Sequence, residues 1–129
     1  MHCVTLIALL TLPILHTGCV AVAAVGAGAG AYAVMRGSLD SHVQAGFEET
    51  LIAVRTALPR TGLVKVKELS DQHSAKLTFR DAVDTRITLQ LTEQTRDLTE
   101  VRIRVGAMGN ESRSIQILQA IHRSLEGEQ

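Results

Sequence analysis

The sequence predicts an α+β fold of two layers, in the order helix, four-stranded antiparallel meander, helix, with both helices on one face of the sheet. Three observations support this prediction. The length of 129 residues suits one domain. All 13 basic and 13 acidic residues lie between residues 36 and 128, so the folded part is expected to follow an uncharged N-terminal segment. Within the charged part, apolar residues recur at helical spacing near both ends and at alternate positions in between.

The first predicted helix depends on apolar residues spaced by three or four positions, which places them on one helical face. Ser38 is expected to cap this helix, and Asp40 suits the positive dipole of its first turn. Pro59, with Gly62 soon after, is expected to end it. The apolar run consists of Leu39, Val43, Phe47, Leu51, Val54 and Leu58.

Four runs of alternating apolar and polar residues follow, over residues 64–67, 75–80, 86–92 and 101–105. A period of two over several strands indicates a sheet with one buried face and one solvated face. The connections between the runs are short and polar, which favours hairpins and therefore an antiparallel meander. In the last connection, Asn110 is expected to cap a final helix whose apolar face carries Leu118, Ile121 and Leu125.

The N-terminal segment has the features of an exported protein. Residues 4–15 are uncharged and mostly apolar, a length that suits the core of a secretory signal and is too short to span a bilayer. The residues that follow resemble a bacterial lipobox, in which the signal is cut before a cysteine that carries lipid. The resemblance implies cleavage within Leu15, His16, Thr17 and Gly18, and lipidation of Cys19. The alternative is an uncleaved anchor with an incidental cysteine.

These features divide the chain into a signal peptide over residues 1–18, a lipidated cysteine with a Gly/Ala-rich tether over residues 19–37, and the small domain over residues 38–126. The tether contains Gly26-x-Gly28-x-x-Ala31, which matches a dinucleotide-binding fingerprint. That motif needs a preceding strand within a βαβ unit, and the predicted elements provide none. We therefore predict an apolar tether along the membrane surface.

The sequence contains no convincing catalytic or metal-binding group. The five histidines are scattered, whereas a metal site needs three or four converging ligands. Asp81 and Asp84 flank a turn, and turn formation explains both better than paired catalytic carboxylates do. The formal net charge is zero and aromatic residues make up 2% of the chain, which disfavours nucleic-acid binding. We expect no enzyme activity and no cofactor.

Several motifs together resemble an uncharacterised family of small bacterial lipoproteins, defined only as a domain of unknown function. One is Ala31-Tyr32-x-x-x-Arg36-Gly37, at the end of the Gly/Ala-rich segment. Another is the final strand of residues 101–106, followed by Gly109-Asn110-Glu111 and the pattern Ile117-Leu118-x-x-Ile121. The likeness covers nearly the whole chain. It implies an envelope lipoprotein and no particular reaction.

The polar face of the predicted sheet is expected to be basic. In the predicted register only Asp84 and Glu100 accompany seven cations on this face. Long basic side chains also commonly cover an open sheet, which is the plainer explanation. The seven cations are Lys65, Lys67, Lys76, Arg80, Arg86, Arg102 and Arg104.

Together these observations predict a non-catalytic envelope lipoprotein with a structural or protein-interaction role. The membrane would hold it through Cys19. By analogy with lipoprotein sorting, Val20 in place of an aspartate after the cysteine implies the periplasmic face of an outer membrane. Its partner would be another envelope protein. The alternative function is a module that binds an anionic envelope ligand on the basic face, with binding that weakens as salt screens the charges.

Overall fold

The structure, a computed structural model, describes residues 22–24 and 31–127. It is built from one antiparallel sheet and two helices. The strands are β1 (Val22–Ala24), β2 (Ala31–Met35), β3 (Ser38–Val43), β4 (Val64–Ser70), β5 (Ser74–Arg80), β6 (Arg86–Thr95) and β7 (Leu98–Val105). The helices are α1 (Phe47–Arg60), between β3 and β4, and α2 (Glu111–Leu125), after β7.

The predicted four-stranded fold is wrong, because the sheet is larger. Six strands lie between Ala31 and Val105, and the three-residue strand β1 pairs with β2 at one edge. The spatial order of the strands is β1-β2-β3-β7-β6-β5-β4. The sheet therefore includes residues 31–35, which the sequence analysis assigns to the tether, and the chain returns from β3 to the far edge of the sheet through α1.

The error lies at the start of the first predicted helix, where residues 38–43 form β3. Leu39 and Val43 are four positions apart, and this spacing fits a strand, with its period of two, as well as a helix. Ser41 completes the alternation, because it is buried on the same side as both apolar residues. Helix α1 begins only at Phe47, after Gly46, which occupies the N-cap position without a side-chain cap.

Strands β2 and β3 form a hairpin through the two-residue loop Arg36-Gly37. Both residues have positive φ, +50° and +79°, as the type I′ turn favoured in such hairpins requires. In β2, Tyr32 lies opposite Ser41 and is buried in the core. The residues that looked like a tether in the sequence thus supply a core aromatic side chain.

Both helices pack on the same side of the sheet and contact each other along their length. Helix α2 begins at Asn110, whose side chain accepts a hydrogen bond from the backbone N–H of Arg113 at 3.0 Å. The core between helices and sheet consists of the alternate apolar residues of β3 and β5 to β7 and the inward faces of α1 and α2. On the opposite side of the sheet the described residues form no helix, and we call this side the open face.

Candidate functional site: the open face of the sheet

The register of the strands places the open-face residues in rows that cross the sheet. One row runs through Lys67, Thr78, Thr88 and Arg104, in β4, β5, β6 and β7. The next row contains Val64, Arg80 and Arg86, in β4, β5 and β6. On the other side of the first row lies a third, through Leu69, Lys76, Gln90, Arg102 and Asp40. Residues in a row are direct neighbours, about 5 Å apart at Cβ.

Six of the seven predicted cations lie on the open face, and Lys65 does not. The pairing of β4 with β5 shifts register between Lys65 and Lys67, which is a β-bulge. Lys65 consequently lies opposite the buried Phe79, on the side of the helices. Its Nζ contacts Glu68 Oε2 at 2.9 Å, and Arg55 of α1 pairs with the same carboxylate. Hydrogen bonds from Arg55 and then Lys65 lower the pKa of Glu68.

Arg102 lies on the open face, but neighbouring carboxylates neutralise its charge. Its Nε donates to Asp40 Oδ1 at 2.7 Å and its Nη2 to Asp40 Oδ2 at 3.1 Å, a two-point contact. Nη2 also lies 3.4 Å from Glu100 Oε1. The sequence prediction missed Asp40 because it placed that residue in a helix, whereas β3 brings Asp40 directly beside Arg102.

Arg104 contacts backbone oxygens rather than a carboxylate. Its Nη1 donates to the carbonyl of Arg36 at 2.9 Å, and its Nη2 donates to the carbonyl of Ala107. The guanidinium therefore joins the β2–β3 turn to the loop before α2 and keeps its full positive charge. We call this junction the clasp: the turn Arg36-Gly37, Arg104, and the loop of residues 106–109.

Backbone contact between two glycines closes the clasp. An ideal Cβ built on Gly109 would lie 2.1 Å from the carbonyl oxygen of Gly37, and one built on Gly37 would lie 2.5 Å from that of Met108. Both glycines have positive φ as well. Only glycine fits where two backbone segments approach so closely in this conformation.

The four remaining cations, Lys67, Lys76, Arg80 and Arg86, lie on β4, β5 and β6. Arg80 pairs with Asp84 at 3.0 Å, through an aspartate side chain that is 80% exposed. Within residues 31–127, the other three cations have no ion pair. Positive charge on the open face is therefore concentrated toward the β4 edge.

Two shallow grooves on the open face follow these cations. The first, of about 360 Å³, runs along β4 to β6 and includes Lys67 and Lys76 in its lining. The second, of about 430 Å³, reaches β7 and includes Arg104. Arg80, Arg86 and Thr88 line both grooves, so the two are continuous.

The β4 edge also exposes three aliphatic side chains that the sequence does not identify. Val64, Val66 and Leu69 are 66%, 57% and 57% exposed. Alternation places Val64 and Val66 in the core, but the register puts Val64 beside Arg80 and Leu69 beside Lys76, on the open face. Because β4 is the last strand of the sheet, no described strand pairs with its outer side.

The carboxylates considered for catalysis have structural partners. Asp81 accepts hydrogen bonds from the backbone N–H groups of Val83 at 3.0 Å and Thr85 at 2.8 Å, and pairs with Arg113 of α2 at 3.3 Å. The N–H of Thr85 is the largest cause of its lowered pKa. Asp81 thus shapes the β5–β6 turn and ties it to α2, as a turn-forming aspartate does. Among the described residues, no three histidine, cysteine or carboxylate side chains are grouped to hold a metal ion.

The predicted cleavage and lipidation residues, 15–19, lie outside the described residues. Neither helix of the described part of the chain is long and apolar enough to cross a membrane.

A family model matches residues 1–124 of the sequence. The chain belongs to the family described as "Protein of unknown function (DUF3568)". The expectation of an uncharacterised family is confirmed at that level, and the match assigns neither a lipid nor a ligand. No curated protein matches the chain. Some of the residues that carry the resemblance meet in space, since Arg36 and Gly37 face Gly109 across the clasp, where the backbone demands glycine.

Proposed function

We propose that this protein is a non-catalytic envelope lipoprotein, anchored through Cys19, whose domain docks onto another envelope protein through the β4 edge. The exposed aliphatic patch of Val64, Val66 and Leu69 on that edge carries the docking role. Apolar side chains grouped on an otherwise charged surface are typical of protein-binding sites, and an unpaired strand edge can accept a further strand.

A lipid anchor at Cys19 and the aliphatic patch would lie toward opposite edges of the sheet. Cys19 precedes β1 by three residues, a reach of at most about 10 Å, so lipid on Cys19 would keep the β1 edge near the membrane. Strand β4 lies six strand spacings away at the opposite edge, roughly 29 Å across the sheet. An anchored domain of this kind can present the β4 edge away from the anchored edge, where a partner in the envelope can reach it.

Intact mass spectrometry of the membrane-extracted protein tests the anchor. We expect a chain that begins at Cys19 and carries acyl groups, and a Cys19→Ser variant that keeps residues 1–18 and carries none. A wild-type chain that retains residues 1–18 without lipid would overturn the anchor and, with it, the placement on the periplasmic face of an outer membrane.

Site-specific photo-crosslinking in cells tests the docking surface. A crosslinking residue at position 66 or 69 is expected to capture one defined protein. Position 52 is a matched control, because Ile52 is also 57% exposed but lies on α1, in the helical layer. The V66S/L69S double variant should then fail to co-purify with the captured protein. Equal capture from position 52, or undiminished co-purification, would count against docking at β4.

A further inference from the structure

We infer that the open face carries a binding site for a phosphate-bearing anion, formed by four cations around two threonine hydroxyls. We call this group the cation cluster. Two adjacent rows of the sheet supply its members, none of which belongs to the aliphatic patch, and the site does not require lipid on Cys19. The members are Lys67, Arg80, Arg86, Arg104, Thr78 and Thr88.

Two cations of the cluster lie where their charges repel each other. Arg80 and Arg86 lie directly opposite each other on β5 and β6. Like charges in this position destabilise a sheet, and among the described residues only the largely exposed Asp84, which pairs with Arg80, offsets them. An anion bound between the two guanidinium groups would remove the repulsion and gain two forked donors, whose geometry matches phosphate oxygens.

The cluster also contains free hydrogen-bond donors, and one of its cations is held in position. Thr78 and Thr88 lie side by side between Lys67 and Arg104. Within the described part of the chain, neither hydroxyl has a hydrogen-bond partner, so both can donate to a ligand. Arg104 is held by two backbone carbonyls, which orient its guanidinium without cancelling its charge. A donor fixed in advance loses less entropy on binding.

The cluster has fewer carboxylate partners for its charges than Arg102, the neighbouring cation on the same face. Arg102 is engaged by two carboxylates, Asp40 and Glu100. Among the described residues, the four cations of the cluster have one carboxylate partner, Asp84, and the two continuous grooves offer room for a phosphate group. Several cations along continuous grooves favour an anion with more than one charge over a single carboxylate.

The phosphate could belong to a soluble compound or to a lipid headgroup, and binding experiments on the detergent-solubilised full chain separate the two. The soluble probe is inorganic pyrophosphate, measured by calorimetry. The lipid probe is a pair of vesicle preparations, phosphatidylcholine with and without phosphatidylglycerol, so that any contribution of the N-terminal segment is common to both. We expect binding to at least one anionic probe, weakening as salt is added.

Charge-removing variants locate the site. The R80Q/R86Q double variant should bind the anionic probe about 25-fold more weakly, roughly fivefold for each charge removed. The R60Q/R123Q double variant removes the same charge from exposed positions on α1 and α2 and should bind as the wild type does. Lys65→Gln should also leave binding unchanged, because the bulge puts Lys65 on the side of the helices.

A second variant distinguishes loss of binding from loss of folding. Thr78→Val with Thr88→Val keeps every charge and the strand propensity, and should weaken binding several-fold if the hydroxyls donate to the ligand. R80Q/R86Q relieves a repulsion and removes the exposed pair of Arg80 with Asp84, so the melting temperature should change little.

Pyrophosphate binding alone supports a soluble ligand, and a preference for phosphatidylglycerol vesicles alone supports a headgroup. Binding of neither probe overturns the proposal, as does equal weakening in R60Q/R123Q. Mass spectrometry can show a Cys19 without lipid while anion binding persists, so each proposal can be disproved independently of the other.

Discussion

The two faces of the sheet are made by the same strands and do different work. On the side of the helices, Leu77, Phe79, Leu89 and Ile103 are completely buried. On the open face, the residues that flank them in β5 to β7 are charged or carry a hydroxyl or amide group, and they reach solvent. Substitutions on the side of the helices, which we call the covered face, should therefore act on stability. Substitutions on the open face should act on binding. Four predictions test that separation, from the largest expected effect to the smallest.

The largest effect is expected on the covered face. Phe79→Ala removes a fully buried ring and should lower the free energy of unfolding by about 3–5 kcal/mol, because the packed core cannot collapse into the cavity. Chemical denaturation followed by circular dichroism measures the loss. Ile52→Ala, at a residue 57% exposed on α1, should change it by no more than about 0.5 kcal/mol. Equal losses for Phe79→Ala and Ile52→Ala would contradict the assignment of Phe79 to the core.

The next effect concerns the clasp. Gly109→Ala should destabilise the protein by about 3 kcal/mol, because the new methyl group would meet the carbonyl oxygen of Gly37 in addition to the cost of positive φ. Gly62→Ala is the matched control. Gly62 has a φ of +84° and nothing within 4 Å of its Cβ position, so its cost should be only about 1–2 kcal/mol. If thermal denaturation gave both the same cost, the close contact would be refuted.

A smaller, pH-dependent effect is expected where β4 meets α1. Glu68→Gln should cost about 1 kcal/mol or less at neutral pH, because it breaks the pairs with Arg55 and Lys65 at a partly exposed site. Arg55 lowers the pKa of Glu68 in the folded protein, so the ionised carboxylate stabilises the fold. That contribution is complete above the ordinary glutamate pKa of 4.5 and is lost as pH falls through the lower, folded value.

Denaturation of wild type and Glu68→Gln at a series of pH values checks this sign. The difference between them should shrink below pH 4.5. A difference that grew on acidification would contradict the pairing.

The smallest effect is expected on the open face. Lys76→Gln should change the free energy of unfolding by no more than about 0.5 kcal/mol, since the side chain is exposed and has no ion pair within the described residues. Its neighbour Leu77 points to the covered face, and Leu77→Ala should cost about 2–5 kcal/mol. Comparable losses at the two positions would break the separation of the faces.

Strands β5 to β7 were predictable because each alternates clearly in sequence. Leu77 and Phe79 alternate with Lys76 and Thr78, and burial follows that pattern. Strands β2 and β3 were not predictable in the same way. Leu39 and Val43 have a spacing common to helix and strand, and the residue between them on the buried side is a serine.

The structure places six of the seven predicted cations on the open face, adds Asp40 to that face and moves Lys65 to the side of the helices. Alternation alone assigns both Lys65 and Lys67 to one face, and only the pairing with β5 creates the bulge that separates them. The neutralisation of Arg102 depends on Asp40, 62 positions earlier in the chain. Neither effect is visible locally, because each depends on which strand lies alongside.

By itself, the sequence determined the helical character of the segment from Phe47 onward, the α2 cap at Asn110, and the alternating strands from β5 to β7. These follow from near-neighbour spacing, which local backbone geometry governs. Only the tertiary structure decided the size of the sheet, the clasp between Gly37 and Gly109, and which cations remain without a carboxylate. Those features arise from strand neighbours distant in the chain, whose register no local periodicity encodes.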